Sequence, residues 1–207
     1  MFYFIKPPWW LKKLYPVCVW EIQTNEKILY LTFDDGPHPQ ATPFVLDELK
    51  KYDARATFFC IGKNVALHSD IYRRILNEGH AAGNHTFNHT NGWKTNDLVY
   101  LKDITAAKKY IDSHLFRPPY GKISKWQLKQ LTGAFNMKVV MWSVLSADFD
   151  TGVTPDSCLK NVMLSTKPGS IVVFHDSDKA WPNLVYALPK VLKYFAEQGY
   201  RFEKINL

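Results

Sequence analysis

Short apolar runs and helix-period segments take turns along almost all of this 207-residue chain, and that alternation restricts its fold more than any other feature. Lys27–Phe33 (KILYLTF) is short, β-branched and aromatic, and reads as a buried strand stopped by Gly36-Pro37. A helix follows over Pro43–Tyr52, apolar at Phe44, Val45, Leu46 and Leu49, then a strand over Ala56–Ile61 closed by Gly62. Asp70–Asn77 reads as a helix ending at Gly79, and Ala81–Asn84 as a short strand. Thr95–Leu115 is expected to be one long helix, with Leu98, Leu101, Ile104, Ala107 and Ile111 in a 3.6-residue period. Pro118-Pro119 forbid helix beyond Phe116. Ile123–Thr132 (helix), Lys138–Trp142 (strand), Pro155–Leu164 (helix), Ser170–Phe174 (strand), Trp181–Gln198 (helix) and Arg201–Ile205 (strand) complete the series. Strand-then-helix order implies parallel strands with helices outside. The expected fold is α/β: a single-domain, distorted, TIM-like (β/α) barrel of about seven units. Residues 27–207 form this domain, and residues 1–26 are an aromatic and basic segment packing on it.

Composition narrows the partners. The hydrophobic share of 46% and charged share of 22% are those of a globular domain with a full core. Aromatic residues reach 15%, enough to line a groove with flat rings as well as fill a core. The net charge of +7 comes from scattered pairs such as Lys50-Lys51, Arg73-Arg74 and Lys108-Lys109 on polar helix faces. No arginine-rich tract or nucleic-acid motif accompanies them, so no nucleic-acid partner is expected. Cys18, Cys60 and Cys158 are far apart and odd in number, which favours a reducing compartment over a disulfide framework. The apolar Met1–Ile5 is interrupted by Lys6-Pro7-Pro8, leaving no signal-peptide core, and no run approaches the ~18 apolar residues of a membrane span. A cytoplasmic monomer is therefore expected, whose opening aromatic and Lys-rich stretch suits at most weak contact with a membrane surface.

Barrels of this kind place their chemistry at the C-terminal ends of the strands. The unusual polar residues fall there: Asp34-Asp35, His85, Arg117, Asp148 and His175. Two adjacent carboxylates are costly unless a cation compensates them. His85 and His89, four residues apart, would share one face of a helical turn and chelate a divalent metal. A carboxylate from the Asp34-Asp35 pair completes two His and one Asp, with coordination positions left open. One acid of that pair can bind metal while the other accepts a proton. His175 can serve as general acid with a neighbouring Asp raising its pKa, and Arg117 can hold a carboxylate. Each residue alone also fits a plain structural role as turn, cap or ion pair. Two His and a carboxylate describe non-haem Fe(II) oxygenases too.

Five ordered motifs bring in a resemblance. TFDDGP at Thr32–Pro37, HTFNH at His85–His89, RPPYG at Arg117–Gly121, DF at Asp148-Phe149 and VFHD at Val173–Asp176 resemble those of the polysaccharide deacetylases. This is the NodB-homology group, or carbohydrate esterase family 4, and the likeness runs from Lys27 to the C-terminus. It implies a metal, usually Zn²⁺ with Co²⁺, Ni²⁺ or Mn²⁺ as alternatives, bound by Asp35, His85 and His89. It implies Asp34 as catalytic base oriented by Arg117, His175 as catalytic acid tuned by Asp148, and the Tyr120 N–H as oxyanion donor. Tyr120, Phe149, Pro118 and Val173 would line the substrate. The implied reaction is hydrolysis of N-acetyl groups on N-acetylglucosamine-containing glycans such as peptidoglycan or chitin-type oligosaccharides, by water activated at the metal. Another acetylated sugar or small amide, or a glycan-binding homologue weak in catalysis, are the alternatives. Three departures bear on substrate fit: Phe149 where the family has Trp, Leu145 at an often acidic position, and Val173 for Leu.

Overall fold

The computed structural model describes residues 3–207; Met1 and Phe2, part of the expected N-terminal segment, lie outside the described residues. Among the described residues, eight strands and eight α-helices follow one another, mostly in alternation. The strands are β1 (Ile28–Asp34), β2 (Thr57–Cys60), β3 (Ala81–Asn84), β4 (Leu115–Phe116), β5 (Lys138–Val139), β6 (Val144–Leu145), β7 (Ile171–His175) and β8 (Arg201–Phe202). The helices are α1 (Trp9–Leu14), α2 (Ala41–Lys50), α3 (Gly62–Leu67), α4 (Ser69–Asn77), α5 (Asp97–Lys108), α6 (Lys125–Thr132), α7 (Pro155–Ser165) and α8 (Trp181–Glu197). All strand pairs are parallel, in the order β5-β4-β3-β2-β1-β7-β6, with β8 on β1. The result is a curled half-barrel in one domain, as the alternation predicts.

The period of two along β1 divides its residues between layers. Leu29, Leu31 and Phe33 join the cluster under α2 and α8, where Phe33 stacks between Phe58 and Phe174. Thr32 and Asp34 face the concave side, where Arg117 meets both. The gap in the barrel is spanned by the N-terminal segment. Val19 bridges to Val140, and Glu21 to Ser170. No helix among the described residues is long and apolar enough to cross a membrane.

Four expectations need correction. The helix expected over Thr95–Leu115 ends at Lys108, because Leu115-Phe116 leaves to pair with β3 and β5 as β4. Leu98 is exposed, and the buried stripe of α5 runs through Tyr100, Asp103, Ile104 and Ala107. The strand expected over Lys138–Trp142 is two residues long, and a separate β6 pairs with β7 beyond it. The segment His85–His89 makes no helical turn; Thr86 and His89 instead take left-handed conformations at φ 63° and 58°.

Candidate active site

Asp34 ends β1 with its side chain on the concave face, so on a continuing strand Asp35 would point to the opposite layer. A left-handed Asp35, at φ 82°, breaks that alternation and brings its carboxylate to the site. The carboxylate of Asp176 accepts from Gly36 N at 3.0 Å and from the Thr42 hydroxyl, clamping the turn after the pair. A Cβ on Gly36 would lie inside the Asp176 carboxylate, so only glycine fits. Asn64 adds a bond to the Asp35 carbonyl at 2.7 Å.

The two acids then meet different surroundings. Asp34 Oδ1 accepts from Arg117 Nη1 at 2.7 Å, and that guanidinium is fully buried. Its other bonds run from Nη1 to Thr32 Oγ1, from Nε to Val140 O and from Nη2 to Met141 O, and it stacks 4.1 Å from the Phe59 ring centre. Asp35 Oδ1 faces imidazoles instead, 3.2 Å from His89 Nε2 and 3.7 Å from His85 Nε2. It is buried and forms no well-directed hydrogen bond. Burial works to raise the Asp35 pKa, but His89, His175 and His85 outweigh it and hold the carboxyl below the usual range.

His85 is fixed by the same arginine. Its Nδ1–H donates to Arg117 O at 2.7 Å, since a carbonyl only accepts, which leaves the Nε2 lone pair aimed at Asp35. Burial lowers its pKa to about 4, keeping the ring neutral. The His89 ring lies 4.6 Å from that of Tyr120. The loop between the two imidazoles is held by Asp103 of α5, whose carboxylate accepts from Asn88 N, Asn88 Nδ2 and Thr90 Oγ1. One ligand atom each from Asp35, His85 and His89 fall within 4.8 Å of one another. An unsatisfied buried carboxylate oxygen beside two imidazole nitrogens fits a divalent cation.

Across the site, His175 ends β7 beside Asp34, its register partner. Asp148, fully buried, accepts from His175 N and from His175 Nδ1, each at 2.7 Å. Burial alone would lower the His175 pKa; the charge and hydrogen bond of Asp148, helped by Asp35 and Asp34, raise it to about 9. Phe149 packs edge-on against His175 at 4.9 Å. Tyr3 of the N-terminal segment meets Phe149 at 5.3 Å and donates to Asp150 at 2.6 Å. Ile5 O accepts from Leu145 N at 2.9 Å. Tyr120 has φ 60° in the turn after Pro118, while Val173 and Pro118 are buried.

The structure thus gathers Asp34, Asp35, His85, His89, Arg117, Tyr120, Asp148, Phe149 and His175 at one end of the barrel. Sequence reasoning missed the residues that brace them, chiefly Asp103, Asp176, Asn64 and Tyr3. Asp103 did carry a signal, as a lone acid on the buried stripe of α5.

Fold and site together define a β/α-barrel protein with a candidate Asp-His-His metal centre beside a buried acid pair, and comparison with known proteins narrows this. The chain belongs to the polysaccharide deacetylase family, whose profile matches residues 21–140. It is 39% identical over 195 residues to a peptidoglycan-N-acetylglucosamine deacetylase of Bacillus cereus, covering 90% of each chain. A chitooligosaccharide deacetylase of Azorhizobium caulinodans is 34% identical over 163 residues, covering 75% of this chain and 76% of the relative. Among solved structures, a peptidoglycan N-acetylglucosamine deacetylase in complex with 4-naphthalen-1-yl-N-oxidanyl-benzamide superposes with a TM-score of 0.87 at 33% identity, over 96% of this chain and 95% of that one.

Proposed function

We propose that the protein is a metal-dependent N-deacetylase of N-acetylglucosamine-containing glycans, peptidoglycan or chitin-type oligosaccharides and their fragments. The observation that carries this reading is the division within the acid pair. Asp35 faces His85 and His89 with an unsatisfied oxygen, whereas Asp34 is held off by Arg117.

In this reading Asp35 Oδ1, His85 Nε2 and His89 Nε2 hold the cation, with Zn²⁺ the best match to the donor set and Co²⁺, Ni²⁺ or Mn²⁺ as substitutes. A divalent ion held there would polarise the acyl oxygen and lower the pKa of water to about 7. Asp34 accepts the proton as water adds to the amide carbon. The Tyr120 N–H, presented by its left-handed backbone, donates to the developing oxyanion. His175 gives its Nε2 proton to the departing amine as the C–N bond breaks, leaving acetate and a free amino sugar. Phe149, Val173, Pro118 and the Tyr120 ring enclose the acetyl methyl. Residues 27–207 carry the chemistry as a monomer, and residues 1–26 serve as the packing segment. Three buried free thiols, Cys18, Cys60 and Cys158, support a reducing, cytoplasmic location.

Incubation with acetylated chito-oligosaccharides and Zn²⁺ should release acetate. Chelation should abolish release without unfolding, because backbone and carboxylate bonds already position the ligands, and added Zn²⁺ or Co²⁺ should restore it. Absence of acetate with every divalent metal, beside a working control deacetylase, would overturn the reading.

The pH profile tests His175. Its pKa is raised from 6.5 to about 9, so the acid is charged below that point and kcat should fall about tenfold per unit above it. The same shift contributes stability that is complete below about 6.5 and lost as pH rises through 9. Asp148→Asn should move this limb downward; an unmoved limb would take the acid role from His175.

A further inference from the structure

The tryptophan- and lysine-rich turn of α1 is a motif that the site leaves unused. α1 docks on the domain by one side only. Leu11 and Tyr15 pack on the cluster built by Cys18, Trp20, Ile123 and Leu128, and Lys12 pairs with Glu21 at 3.3 Å. The opposite side presents Trp9, Trp10 and Leu14, followed by Val17, with exposures of 69%, 46%, 50% and 58%. Phe4 lies edge-on to Trp10 at 6.3 Å and extends the same surface. No residue of α1 is buried.

Exposed apolar residues scattered singly are ordinary, but a contiguous patch marks a place of contact. The border of this one is cationic. Lys6 and Lys13 are exposed with no acidic partner among the described residues, and Lys13 Nζ sits 4.9 Å above the Trp9 ring. The sequence holds no Asp or Glu before Glu21. Indole rings combine a large apolar body with one N–H donor, and lysine stems lie on apolar surface while their ammonium groups stay in water. That pairing suits the headgroup level of a bilayer, and the excess of cations selects an anionic one.

We propose that the outer face of residues 4–17 docks peripherally on an anionic lipid bilayer, with Trp9, Trp10 and Leu14 in the interfacial layer and Lys6 and Lys13 at the headgroups. Self-association through this face is opposed by charge, since a two-fold contact brings the lysines of both copies together with no carboxylate between them. The docking face and the site share one stretch of chain through Ile5 and Tyr3. The inference does not depend on the deacetylase reading.

The test is co-sedimentation of the full chain with vesicles of phosphatidylglycerol and phosphatidylcholine, against pure phosphatidylcholine. Binding is expected only to the anionic vesicles and should weaken with added salt. Lys6→Gln/Lys13→Gln should lower affinity about thirtyfold, two cations at about 1 kcal/mol each. Trp9→Ser/Trp10→Ser should abolish binding while leaving the thermal melt unchanged. No sedimentation with anionic vesicles, or equal binding by the tryptophan variant, would overturn the proposal. So would a dimer in gel filtration that the tryptophan variant dissolves, since the occupant would then be a second copy.

Discussion

Asp34→Asn is expected to lower kcat by about a thousandfold, within the ~10²–10⁴ range of a lost general base, while metal content stays that of the unaltered protein. Asp35→Ala is expected to lose both metal and turnover. The two residues are adjacent and chemically identical, so the contrast comes entirely from what the fold places around each. Asp34 spends its Oδ1 on a buried guanidinium, and Asn in its place keeps an acceptor for that bond. Asp35 Oδ1 has imidazole nitrogens as its polar neighbours. Removing it leaves two His, too few donors to hold a cation tightly. Elemental analysis of the purified variants beside acetate release separates the cases. Equal metal loss in both variants would refute the division of labour.

Arg117→Met should be the most damaging single change away from the metal ligands, costing about 3–5 kcal/mol in denaturant unfolding together with most of the activity. The side chain is fully buried and serves four acceptors: Thr32 Oγ1, Asp34 Oδ1, Val140 O and Met141 O. Methionine fills much of the volume but leaves the Asp34 charge unpaired in a poorly solvated place. Lysine should not rescue it, because a point charge cannot reach acceptors arranged for a planar fork. Arg117→Met/Asp34→Asn should be more stable than Arg117→Met alone, since the orphaned charge is gone. If the double variant is instead the less stable, the pair contributes through packing and not through charge.

Much of the fold could be read from the chain because the central strands here are buried on both sides, with helices packed over them. Lys27–Phe33 and Ala81–Asn84 were therefore legible nearly to the residue. β6 was not. Two residues carry no periodicity, and Ser143 reaches Ile171 by a backbone bond that no local pattern announces. α5 was overextended because the buried Ile111 keeps the helical spacing after the helix has stopped. The site was legible as a set of residues but not as a geometry. His85 and His89 do converge, yet through two left-handed residues in a loop tied down by Asp103, not through a helical turn. Asp176 closes the VFHD motif but carried no assigned role, although its bond to Gly36 shapes the Asp35 turn.

Seven non-glycine residues take positive φ among the described residues, and five of them, Asp35, Thr86, His89, Tyr120 and Ala147, lie in the loops around the site. Each such torsion costs on the order of 1 kcal/mol, which the rest of the barrel must offset. Laboratory evolution under heat selection alone would therefore tend to exchange these residues for glycine or asparagine. A lineage selected that way would grow hardier while its catalysis faded, so a screen that seeks a robust enzyme must score turnover at every round.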